Sequence, residues 1–164
     1  MDALVEEAAK KAAVAWVAVG GRPATLVWCA WLGGALLVVS GEGEQAVPGL
    51  AEAATADVSL RGDHGGRIVT FPADVTSIAP ADEAWAELVP QLAGKRLNGV
   101  GGAEELTRRW FEGCVVSRLT PAGASGELPD DAQSAPPRPT PATRIPRRPF
   151  RLHKVRGATR DPRR

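Results

Sequence analysis

Residues 24–60 read ATLVWCAWLGGALLVVSGEGEQAVPGLAEAATADVSL, and their pattern decides the fold. Thr25 to Leu32 is apolar on both faces, which suits a strand that is central in a barrel or covered at an interface. Gly33-Gly34 supports a tight hairpin into a second apolar run, Ala35–Ser40. The next stretch, Gly41-Glu42-Gly43-Glu44-Gln45, is too polar and too glycine-rich for regular structure. Pro48 suits the first turn of a short helix through Leu50, Ala51 and Ala54, and Asp57–Arg61 returns as a strand. A polar loop that follows a dense apolar sheet is where a ligand site is expected.

Outward from this stretch the pattern continues in short elements. Residues 2–13 form an amphipathic helix: Asp2 can cap it, Leu4, Ala8 and Ala12 share a face, and Glu6–Lys10 and Glu7–Lys11 are i,i+4 pairs. Val14–Gly20 is a strand that ends in a Gly20-Gly21-Arg22-Pro23 turn. Gly62–Gly66 reads as a hairpin loop, followed by a long strand from Arg67 to Ile78. Pro72 interrupts that strand and removes a ladder donor, so a bulge or an edge position is expected there. Asp82 starts a helix with Trp85, Leu88, Val89 and Leu92 on one face, and Pro90 should kink or divide it. A further helix spans Glu104–Glu112, and Cys114–Leu119 is the last strand. About six strands in hairpin order, with helices before the first and last, give a mainly β fold with α (α+β): an antiparallel barrel with flanking helices. Alternating strand–helix units are absent, which argues against a doubly wound sheet.

The chain divides at Pro121. Residues 1–121 carry ten Lys/Arg against fifteen Asp/Glu, whereas residues 122–164 carry ten against four. The formal charge of +1 therefore hides an acidic domain and a basic tail. The tail is rich in Pro and Arg and nearly free of core-forming side chains, so a disordered segment over 122–164 is expected. Only this tail suits an anionic polymer, and as an extension outside the domain it is read as inert, so no nucleic-acid partner is expected. No apolar run reaches the length of a membrane span, and the acidic N-terminus lacks the layout of a secretory signal; a cytoplasmic protein with no membrane partner is expected. Cys29 and Cys114 lie in apolar runs with no short spacing, which suits free thiols. His64 in a glycine-rich turn and His153 in the tail give no metal-ligand spacing, so no metal site is expected. No nucleophilic triad or carboxylate pair stands out, and no catalytic residue is assigned.

At the barrel stretch the sequence resembles the pyridoxamine 5′-phosphate oxidase-like family of split β-barrels. Val27-Trp28-Cys29-Ala30-Trp31-Leu32-Gly33 resembles the V-W-x-x-W-x-G strand and turn of its smaller members. Ser117-Arg118-Leu119-Thr120-Pro121 resembles its closing strand, and the order of elements over residues 2–121 agrees. The resemblance implies a six-stranded antiparallel split barrel, a homodimer, and FMN or a deazaflavin held between the subunits. The ring would lie against backbone around Val27 and Trp28, and the loop after the third strand would hold the phosphate, here through Ser40 and Gln45. The implied activity is that of an oxidoreductase acting on a small-molecule substrate.

The loop departs from the family pattern, because Glu44, Gln45 and Ala46 stand where basic residues are expected. Two glutamates oppose a phosphate dianion, and Arg61 or Arg67 would have to compensate. The alternative is a degenerate split barrel that has lost its flavin and serves as a binding or interaction module. Trp16, Trp28 and Trp31 read as core or dimer interface ahead of pocket lining.

Overall fold

A computed structural model describes residues 2–61, 68–97, 99 and 101–123. These residues lie in the first of the chain's two units, Met1–Pro129. His64, Arg67, His153 and all of the expected tail beyond Gly123 fall outside the described residues.

The chain runs α1 (Ala3–Lys11), β1 (Val14–Ala18), β2 (Thr25–Trp28), β3 (Ala30–Leu32), β4 (Ala35–Gly41), β5 (Thr55–Arg61), β6 (Ile68–Ile78), α2 (Glu83–Gly94), α3 (Ala103–Gly113) and β7 (Cys114–Pro121). All strands join one antiparallel sheet in the order β2-β1-β5-β6-β7-β4-β3. The two ends of that order, β2 and β3, are consecutive in the chain and separated only by Cys29. The sheet therefore closes through one bent segment, whose first half pairs with β1 and whose second half pairs with β4. The strand expected over Thr25–Leu32 is present but broken at Cys29, which makes seven strands of the expected six. This is a split barrel.

The double-sided apolar runs are explained by burial on both faces of the sheet. Leu36 and Val38 point into the barrel with Val17, Val27, Val58, Leu60, Phe71 and Leu119. Their neighbours Leu37 and Val39 point outward with Val116 and are covered by Trp85, Leu88, Val89, Leu92, Leu106 and Trp110 of α2 and α3. Val5 and Ala9 of α1 complete the interior cluster. Asp2 caps α1 by accepting a 2.9 Å bond from the Leu4 N–H. Cys29 is buried, which pushes its thiol up to about 12, and Cys114 is half-buried; both are free.

Turn chemistry follows the glycines. Gly33 and Gly34 have φ of +56° and +76° in a two-residue hairpin with Leu32 opposite Ala35, the conformation that a right-twisted ribbon favours.

Three local expectations change. Pro72 sits in a central strand with unbroken register on the β5 side, Asp57 opposite it, rather than at a bulge or an edge. Its carbonyl accepts from the Ala122 N–H at 2.8 Å, so its missing donor faces the end of β7, where little of the ladder is left to lose. The segment after Pro48 is a succession of turns rather than a helix, because Gly49 adopts φ +82° and the bonds are i→i+3, Leu50 to Val47 and Ala53 to Leu50. Helix α2 runs through Pro90 undivided, with Trp85, Leu88, Val89 and Leu92 buried along it. Tertiary burial outweighs the one helix bond that proline removes.

Candidate functional site

The polar loop after β4 is where the barrel opens. Gly41 takes φ +146°, and a Cβ there would stand 2.4 Å from the Gly113 carbonyl, so only glycine allows β4 and the start of β7 to approach this closely. Gly43 takes φ +74° and reverses the chain, with the Glu44 N–H donating to the Gly41 carbonyl at 3.1 Å. Gln45 thereby returns beside Ser40 in a parallel bridge.

Gln45 then completes the sheet with its side chain. The Cys29 N–H donates to the Ala13 carbonyl, so the pleat turns the polar groups of Trp28 away from β1. Among the described residues no strand meets them, since β4 pairs with β3 only as far as Ala30 opposite Leu37. The Gln45 Oε1 accepts from the Trp28 N–H at 2.7 Å, and its Nε2 donates to the Trp28 carbonyl at 2.8 Å. A side-chain amide thus stands in for the missing strand at the split.

Glu44 lies alongside, with its side chain only 4% exposed. Arg96 Nη2 donates to Glu44 Oε2 at 2.9 Å, and Trp110 Nε1 donates to Glu44 Oε1 at 3.0 Å. Arg96, just beyond the end of α2, is braced by its N–H to the Ala93 carbonyl. Its guanidinium lies 4.9 Å from the centroid of the Trp28 ring, a cation–π stack. Trp110 is fully buried on α3. The loop carboxylate therefore joins the β2 end, the α2 end and α3 in one polar cluster.

Of the residues expected to hold a cofactor, the structure brings Trp28, Ser40 and Gln45 to the split. Val27 is 1% exposed and points into the barrel. The backbone of Trp28 and the amide of Gln45 are bonded to each other, and Ser40 is half-buried at the base of the loop. Arg96 and Trp110 were missed as site residues. Trp110 reads as helix core, and nothing near Arg96 in sequence marks it; only the packing of α2 beside β2 brings its charge to Trp28.

A second feature adjoins Trp28. Val14 pairs with Trp28, and Trp16 with Leu26, so these four side chains share the outer face of β1 and β2. Val14 is 44% exposed and Leu26 54%, whereas Trp16 and Trp28 are half-buried. Trp28 packs against the α2 and α3 cluster at one end of this face, and Val14 and Leu26 are left exposed at the surface.

An implied flavin can be set against these groups. The aromatic–aliphatic face beside Trp28 suits a planar ring. The loop does not suit a phosphate dianion: Glu42 and Glu44 lie there, Arg96 is already paired with Glu44, and the Gly41 N–H already donates to the Gln45 carbonyl.

The fold matches solved structures that include HutZ from Vibrio cholerae, a heme storage protein. That match has a TM-score of 0.56 at 14% identity, over 76% of this chain and 92% of that one. The flavocytochrome Anf3 from Azotobacter vinelandii matches with a TM-score of 0.50 at 19% identity, over 92% of this chain and 87% of that one. An F420 reductase matches with a TM-score of 0.49 at 12% identity, over 74% and 94%. No protein-family model and no curated protein matches the chain. The chain shares the split-barrel fold of these solved structures. Among the described residues no helix is long and apolar enough to cross a membrane, and no group of three His, Cys, Asp or Glu could hold a metal ion.

Proposed function

We propose that the chain acts as a homodimer that binds a flavin or deazaflavin and serves as an oxidoreductase on a small molecule. The observation that carries this reading is the apolar face of Val14, Trp16, Leu26 and Trp28, with Val14 and Leu26 exposed, next to the split in a barrel of this class. The flavocytochrome with the same fold supports a planar redox cofactor. A bound flavin would supply hydride transfer, while this chain's part is to bind, orient and shield it. Trp28 and the apolar face would cover the ring, and the Gln45 bonds hold the Trp28 backbone in place. The protein as purified, or after incubation with FMN and with a deazaflavin, is expected to carry the visible absorbance of the cofactor. Protein that stays colourless with both overturns the reading.

A second reading is favoured by one specific arrangement. Gln45 uses the Trp28 backbone, and Glu44 neutralises Arg96, so the polar groups at the split satisfy one another. A barrel that has given up its flavin and works as an interaction module would look like this. It predicts a dimer by native mass with no cofactor uptake in the same preparation.

A further inference from the structure

The Glu44 cluster has the composition of an oxyanion site with its anion already inside. A carboxylate 96% withdrawn from solvent is expensive unless it is paired and hydrogen-bonded. Here a guanidinium reaches one oxygen and an indole N–H reaches the other, two convergent donors from separate segments, one just beyond the end of α2 and one on α3. Such a pair of donors recognises any carboxylate or phosphate oxygen. Arg96 Nε, in addition, is buried and has no hydrogen-bond partner among the described residues. The carboxylate is carried on a loop rather than on a strand or helix, between Gly43 at φ +74° and the Gln45 latch. That loop borders a surface cavity of about 390 Å³ lined by Glu42, Gly43, Arg109, Glu112 and Gly113. Trp110 is held on α3 and Arg96 lies just beyond the end of α2, while the acid is on the loop after β4.

We propose that Arg96 and Trp110 form a binding site for a small oxyanion, a carboxylate or a phosphate, which Glu44 occupies from within the chain. An external anion enters only in exchange for Glu44. The tethered carboxylate competes at an effective concentration on the order of millimolar or above, so the wild-type protein holds external anions weakly and the Glu44 loop sets the threshold. The inference does not depend on a flavin: it concerns an anion site that exists in a colourless protein as well as in a loaded one.

The test removes the internal anion from the full-length chain. In Glu44→Ala, acetate and inorganic phosphate are expected to raise the melting temperature saturably, by about 4 °C at tenfold excess over Kd. Sodium chloride at matched ionic strength should not. The wild-type protein should show no difference between these salts over the same range. Whether acetate or phosphate saturates at lower concentration tells which oxyanion the cradle prefers. Adding Arg96→Met to Glu44→Ala should abolish the response. If Glu44→Ala is unfolded in dilute buffer, either anion should restore its circular dichroism, because a ligand that binds the native state drives folding. The proposal is overturned by an anion response no larger than that of chloride, by a response that survives Arg96→Met, or by failure of both anions to refold an unfolded variant.

Discussion

Gln45 is the residue whose role differs most from its appearance in sequence. In a polar glycine-rich loop it reads as a ligand contact or a turn former, yet its amide supplies both hydrogen bonds that a neighbouring strand would give Trp28. Leaving two part-buried backbone groups unpaired costs about 1–3 kcal/mol each. Gln45→Ala is therefore expected to lower stability by about 2–4 kcal/mol in urea unfolding. Gln45→Glu should lose less at acidic pH than at neutral pH. A protonated carboxyl can still donate to the Trp28 carbonyl, whereas the ionised one only accepts and sets its second oxygen against that carbonyl. The folded-state pKa of the new carboxyl is thus raised, and the relative loss should grow as pH rises through it. Equal losses at both pH values would show that the Trp28 carbonyl bond contributes nothing. Trp28, Ser40 and Gln45 were legible as neighbours of the split, because strand and loop could be placed in sequence. Arg96 was not, since its contact with Glu44 spans 52 positions.

At the scale of elements, the loop after β4 depends on two glycines for different reasons. At Gly41 an added Cβ would meet the Gly113 carbonyl at 2.4 Å, a backbone atom that cannot yield without separating β4 from β7. At Gly43 a Cβ meets nothing within 4 Å, and only the left-handed φ of +74° opposes a side chain. Gly41→Ala is expected to cost about 3 kcal/mol or more, and Gly43→Ala about 1–2 kcal/mol, in chemical denaturation. A reversed order would place the constraint in the turn rather than in the strand approach. The sequence marked both glycines as loop formers but did not distinguish them, because a close approach of backbone to backbone is a property of two distant segments. The same reason explains Pro72: a missing donor matters by what lies opposite it, and here the partner strand is ending. It explains α2 as well, where burial along the helix outweighs the break that Pro90 suggested.

For the whole molecule, the unequal covering of the barrel is the main functional consequence. Helices α2 and α3 seal the β4 and β7 side, and the β1–β2 face is left with Val14 and Leu26 exposed beside two tryptophans. An exposed apolar face of this kind suits a second copy of the chain. Leu26→Lys is expected to convert a dimer to a monomer in sedimentation analysis while leaving the melting temperature of the barrel largely intact. A wild-type protein that sediments as a monomer would remove the homodimer from the proposed function. The barrel class, the hairpin at Gly33-Gly34 and the acidic character of the loop were determined by the sequence alone. Each rests on local pattern: strand periodicity, glycine at turns, and charge along a short segment. The bend at Cys29, the substitution of Gln45 for a strand, and the capture of Glu44 by Arg96 and Trp110 were decided only by the tertiary structure. These depend on which segments meet when the sheet closes on itself, and no local pattern encodes a meeting between residues so far apart in the chain.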